Sequence, residues 1–113
     1  MRKTGCIDYV ELPGRNMEAT KHFYRAAFGW EFQSYGPDYV AFENAGLDGG
    51  IQSDAREAHP HPLVIVYAED LDEMARQVES AGGRITHRHE FPGGRRFHFR
   101  DPAGNILAVW SES

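Results

Sequence analysis

Glu11, Arg96 and His98 are the side chains best placed in this sequence to do polar chemistry on a bound molecule. Each lies in a stretch with the two-residue alternation of a strand, so its face can be read from its neighbours. Glu11 shares a face with Tyr9. A carboxylate on a mostly apolar wall needs a counterpart: an arginine such as Arg96 or Arg100, a cationic ligand, or a proton that it can take as a base. Arg96 and His98 share the face opposite Phe97 and Phe99, as contacts for a ligand or as a solvated edge. Tyr67 and Trp110 fall on the faces of Leu63 and Ala108, where an aromatic ring serves either packing or stacking against a flat organic molecule. Glu11 is the one catalytic candidate, and Tyr9, Glu11, Tyr67, Arg96, His98 and Trp110 form the candidate ligand-binding set.

Other chemistries have less support. His87 and His89 stand one strand repeat apart and could reach His98 across the Pro92-Gly93-Gly94 turn, giving three imidazoles for zinc or nickel. Edge-strand histidines exposed to solvent account for the same residues more simply. His59-Pro60-His61 lies in a polar stretch. No Ser-His-Asp or Cys-His order and no phosphate-binding glycine loop stands out, and Gly93-Gly94 reads as a turn.

The candidates are carried by short strands. Phe97 to Trp110 reads as a hairpin, two alternating strands about a turn in which Pro102 presets φ while Gly104 and Asn105 tolerate positive φ. Before it, the punctuation predicts a strand over 7–12, a helix from Met17 capped by Asn16 and stopped by Gly29, and three strands near 30–35, 39–43 and 50–53. Thr20, Phe23, Tyr24, Ala27 and Phe28 have the spacing of a buried helical stripe. Ser53 to Pro62 is polar, proline-bearing and aperiodic, a linker. Then come a strand over 63–67, apolar on both faces, and a helix capped by Asp70, with Glu73 suggesting a capping box and Gly82-Gly83 a stop. Strands over 84–89, 95–100 and 105–111 complete the chain.

The order is β-α-β-β-β twice. A shift of about 54 residues lays Asn16 on Asp70 and Gly29 on Gly83. The fold class is therefore α+β, one domain of two tandem βαβββ modules, approximately 5–54 and 62–112, joined by the polar linker 54–61. Each module has a helix on one face of its sheet only. Two such modules, within a chain or exchanged between chains, are expected to form a curved mixed sheet around a cleft, the default place for a ligand.

Composition narrows the function. At 113 residues one domain fits, and a net charge of −5 argues against general affinity for nucleic acid or an anionic membrane. Cys6 is the only cysteine, so no intrachain disulfide forms and a reducing, cytoplasmic setting is expected. The longest wholly apolar run, Leu63 to Ala68, is far short of the ~20 residues that a membrane helix needs. The N-terminus leads into no signal-like segment.

Four short stretches in order, Y-V-E-L-P at 9–13, H-F-Y-R-A-A-F-G-W at 22–30, A-E-D-L-D at 68–72 and D-P-A-G-N at 101–105, resemble the vicinal oxygen chelate superfamily. That superfamily takes in glyoxalase I, extradiol dioxygenases and the fosfomycin and bleomycin resistance proteins. The resemblance covers nearly the whole chain. It implies that metal-dependent relatives hold a divalent ion with His, Gln or Glu at positions that here fall on Tyr9, Leu63 and Ala108, with a fourth within 52–54. One carboxylate, Asp54, and no imidazole cannot hold a catalytic ion there, so no metal or other cofactor is expected. The resemblance implies a homodimer that binds a small organic molecule, in the manner of the bleomycin resistance proteins. The alternative is a lyase, isomerase or dioxygenase that uses a displaced metal or Glu11 as base.

Overall fold

The computed structural model describes residues 2–113. Its elements are β1 (Ile7–Pro13), α1 (Met17–Phe28), β2 (Glu31–Ser34), β3 (Tyr39–Glu43), β4 (Gly49–Gln52), β5 (Leu63–Tyr67), α2 (Leu71–Ser80), β6 (Arg84–Phe91), β7 (Gly94–Arg100) and β8 (Ile106–Ser111). The fold is α+β, with the βαβββ order repeated. The chain divides into two compact units, Tyr9–Leu63 and Val64–Ser113, and the second also holds residues 2–8.

In the first unit β1 runs parallel to β4, β4 antiparallel to β3, and β3 antiparallel to β2. The Asn16 side chain accepts a bond from the Ala19 amide at 3.1 Å, and Gly29, at φ 78°, ends α1. Val40 and Ile51 are fully buried and pair across β3 and β4. Tyr24 on α1 stacks on Trp30 at 4.7 Å, and Trp30 meets Phe42 at 4.8 Å, so Trp30 is a packing residue. The expected buried stripe of α1 is not realised: no residue of the helix is buried, and Phe23 and Phe28 are 57% and 63% exposed. The ring cluster of Tyr24, Trp30 and Phe42 makes the contact between this helix and the strands. Phe23 instead lies edge-on to Tyr24 at 5.1 Å.

In the second unit the sheet order is β5-β8-β7-β6, with β5 and β8 parallel and the others antiparallel. Here the helix has a core beneath it. Leu71 and Ala75 of α2 pack with Ala68, Phe97 and Val109, flanked by Val66, Met74, Val78, Ile85 and Phe99. Each such side chain withdrawn from water stabilises by about 1.5–3 kcal/mol when large. Asp70 caps α2 by accepting from the Glu73 amide at 3.0 Å. The Glu73 carboxylate does not complete a capping box; it pairs with Arg76 at 2.8 Å. Ala81 caps the end of the helix, and Gly82, at φ 103°, rather than Gly83, takes the left-handed conformation.

The β7–β8 turn is a side-chain construction. Asp101 Oδ1 accepts from the amides of Ala103 and Asn105 at 2.9 and 2.8 Å, and the Asn105 side-chain amide donates to Oδ2 at 2.9 Å. Gly104 has positive φ while Asn105 does not, so Asn105 is used for its amide. The stretch expected as a linker is folded locally: the amides of Glu57 and Ala58 bond to the Asp54 carbonyl in a single turn. Among the described residues no helix is long and apolar enough to cross a membrane.

Candidate ligand-binding site

Because Phe97, Phe99, Val66 and Val109 pack toward α2, alternation sends Ile65, Tyr67, Arg96, His98, Ala108 and Trp110 to the helix-free face of the second unit. The register sets Tyr67 beside Trp110, and Trp110 beside Arg96, with His98 beside Ala108. Four of the six candidate ligand contacts therefore share one sheet face in adjacent strands. Tyr67 and His98 are buried, and Arg96 and Trp110 half-buried.

The aromatic pair is held by acids. The Tyr67 and Trp110 rings meet edge to face at 5.4 Å. The Tyr67 hydroxyl donates to Glu112 at 3.0 Å, which pushes its pKa up, and the Trp110 indole donates to Asp8 at 2.9 Å. Arg2 lies over the indole at 5.0 Å and pairs with Asp8 at 3.4 Å. The backbone follows: the Gly5 amide donates to the Tyr67 carbonyl and the Tyr67 amide to the Cys6 carbonyl, at 2.9 and 3.0 Å. This N-terminal tie has no signal in the local pattern of the sequence.

The histidines come to the same face through a β-bulge. Ile85 pairs with Phe99 on the helix side, yet His87 pairs with His98 on the other, so the register slips between Ile85 and His87. Without that slip His87 and His89 would follow Ile85. With it, the His87 ring lies 5.3 Å from His98 and 6.1 Å from His89, and Phe91 continues the row toward Trp110. Among the described residues no three His, Cys, Asp or Glu side chains are arranged to hold an ion.

On the helix-free face of the first unit, Glu11 pairs with Gly50 in register, and its neighbour Tyr9 bonds hydroxyl to hydroxyl with Tyr39. Burial pushes the Tyr9 phenol up, the Tyr39 bond opposes this, and the Glu11 and Asp48 charges raise it further. Glu11 is 6% exposed. Gly50 matters because a Cβ there would overlap the Tyr39 hydroxyl and lie 2.7 Å from the Val40 carbonyl oxygen.

These registers locate the fourth metal position of the resemblance. Ala108 pairs with Ile65 two residues after Leu63, and the counterpart two residues after Tyr9 is Glu11, whose partner is Gly50. By register the first-unit equivalent of Ala108 is Gly50, short of 52–54, because the β6–β7 hairpin is longer than the β2–β3 hairpin. Asp54 bonds instead to Arg56 at 3.0 Å, which holds its carboxyl below the usual range. Tyr9 with a raised phenol, Gly50, Leu63 and Ala108 supply no donor set for a divalent ion. The residues do not fit the metal of the family.

One further hollow was missed from the sequence. In the first unit a cavity of about 420 Å³ opens between the β1–α1 loop and the turn after β4, lined by Pro13, Arg15, Gln52, Ser53, His59 and Pro60 among others. His59, read as part of a linker, lies in its wall.

The profile of the Glyoxalase/Bleomycin resistance protein/Dioxygenase superfamily matches residues 6–109. No curated protein matches the sequence. Among solved structures, an NAD-dependent benzaldehyde dehydrogenase from Legionella pneumophila is similar at a TM-score of 0.73 and 18% identity, covering 93% of this chain and 98% of that one. The methylmalonyl-CoA epimerase of Mycobacterium tuberculosis follows at 0.71 and 13%, covering 99% and 91%. A superfamily member from Vibrio splendidus 12B01 is similar at 0.69 and 15%, covering 91% and 96%. Identities this low speak for the fold alone.

Proposed function

The chain belongs to the Glyoxalase/Bleomycin resistance protein/Dioxygenase superfamily, and we propose that it binds a small organic molecule on a helix-free sheet face without a metal ion. The observation that carries this reading is the juxtaposition of Tyr67, Trp110, Arg96 and His98 on one face of the second unit. Aromatic surface beside a guanidinium and an imidazole suits a flat ligand with polar ends. Tyr9 and Glu11 offer a second such surface in the first unit. Native mass spectrometry of the purified protein tests the reading. A small molecule should be retained by the wild type and lost, or bound about tenfold more weakly, in Trp110→Phe and Arg96→Gln, which corresponds to ~1.4 kcal/mol. Retention unchanged in both variants would count against it, as would stoichiometric metal whose removal abolishes binding.

A second reading, proton transfer by Glu11, is favoured by the burial of that carboxylate beside Tyr9. Glu11→Gln should then abolish turnover of a bound ligand while leaving its affinity within a few-fold. We also propose a homodimer, supported by the exposed rings of Phe23 and Phe28; light scattering at the mass of one chain would refute it.

A further inference from the structure

We infer that Trp110, Asp8 and Glu112 form a receptor for an organic cation, a guanidinium or alkylammonium group, whose place is filled by the Arg2 side chain of the protein itself. This deepens the binding reading above and rests on it only in requiring that the face around Trp110 receive a ligand.

The site has the three parts that cation recognition needs. The indole of Trp110 offers a π face, and the Arg2 guanidinium carbon lies 5.0 Å above it, within cation–π range. Two carboxylates flank the same position: Asp8 Oδ2 is 3.4 Å from Arg2 Nε and Glu112 Oε2 is 4.0 Å from Arg2 Nη1. Both acids are fixed from behind, Asp8 by the indole N–H at 2.9 Å and Glu112 by the Tyr67 hydroxyl at 3.0 Å. The acids are thus held by the sheet and not by Arg2 alone. Tyr67, edge-on to the indole at 5.4 Å, and Phe91, at 6.4 Å, pack against the same indole.

Arg2 is the replaceable member. Its side chain is 42% exposed, and its pair with Glu112, at 4.0 Å, lies at the limit of the ion-pair range. A free guanidinium can satisfy the same oxygens and the same ring. A tethered group competes with such a ligand at an effective concentration in the millimolar range, so the protein's own residue lowers the apparent affinity without abolishing it.

The test follows the Trp110 indole N–H resonance by NMR, identified by its loss in Trp110→Phe, as methylguanidinium is added, with the neutral N-methylurea as control. Arg2→Ala should give a saturable shift with methylguanidinium and none with N-methylurea. The wild type should need about tenfold more ligand for the same shift, the displacement cost of a millimolar internal competitor. In the Arg2→Ala background, Glu112→Gln or Asp8→Asn should weaken binding by about fivefold or more, the scale of a charge-assisted contact. If Asp8→Asn loses the dispersed indole signal of the folded state, Glu112→Gln, at an exposed carboxylate, decides alone. No shift in Arg2→Ala, equal responses of wild type and Arg2→Ala, an equal response to N-methylurea, or indifference to Glu112→Gln would each overturn the inference. A native ligand whose binding still depends on Trp110 and Arg96 would, alongside such a failure, leave the broader binding reading standing.

Discussion

The hydroxyl of Tyr9 meets the hydroxyl of Tyr39 across two strands, over a position where the chain has no side chain at all, Gly50. Gly50→Ala drives a methyl group into the Tyr39 phenol and the Val40 carbonyl, an overpacking expected to cost about 1–3 kcal/mol. Denaturant titration reads this as a lower midpoint at unchanged slope. An unaltered midpoint would mean that the phenol pair is not held there.

The same pair sets an alkaline limit. The folded Tyr9 phenol keeps its proton to higher pH than an unfolded tyrosine does, chiefly because it is buried. Its contribution to stability is therefore complete below the unfolded value of about 10 and is lost as pH rises through the folded value. Tyr9→Phe should flatten the stability profile above that pH, which thermal unfolding across the alkaline range would measure.

Asp101 acts at the other end of the scale. The Asn105 side chain, then the Asn105 backbone amide, hold its carboxyl below the usual range. A lowered folded value means that the turn's contribution is present above the unfolded carboxylate value of about 3.9 and disappears as pH falls through the folded one. The difference in stability between wild type and Asp101→Asn should be largest near neutrality and should close with acidification. A difference that does not change with pH would refute the charge-based account.

Two phenylalanines separate core from surface. Phe97 is 0% exposed and lies under α2, so Phe97→Ala should cost about 3–5 kcal/mol. Phe23, which sequence periodicity also places in a core, is 57% exposed, and Phe23→Ala should change the stability of the isolated chain by about 0.5 kcal/mol or less. A large loss at Phe23, measured at a concentration where the protein is a single chain, would show that its ring packs more deeply.

Asp8 ties the start of the chain to its end. Asp8→Ala strips the half-buried Trp110 indole of its acceptor, and about 1–3 kcal/mol of stability should go with it. A red-shifted tryptophan emission should accompany the loss, since the indole then turns to water. Deletion of residues 1–3 should cost less, because Asp8 stays in place.

What could be read from the sequence was whatever is written locally. Asn16 and Asp70 announce their helices, Gly29 ends one, and Phe97 against Val109 marks the side of β7 and β8 that faces a helix. Local spacing fails where a partner is remote or the register slips. The α1 stripe had the right period, but nothing in the period says how much sheet lies beneath it. The bulge before His87 adds a residue to one strand only, and strict alternation misplaces every side chain beyond it. Residues 2–8 join the second unit through bonds to Tyr67 and Trp110, more than half a chain away. The fourth metal position needed the pairing of β1 with β4, which no repeat offset could supply to the residue.

The bareness of Gly50 also limits what protein engineers could graft onto this scaffold. Writing histidine or glutamate into Tyr9 would still leave its first-unit companion position, Gly50, without a donor. Supplying one at Gly50 would first require evicting the Tyr39 ring, so a transplanted ion centre here demands a rebuilt β3 as well as new ligands.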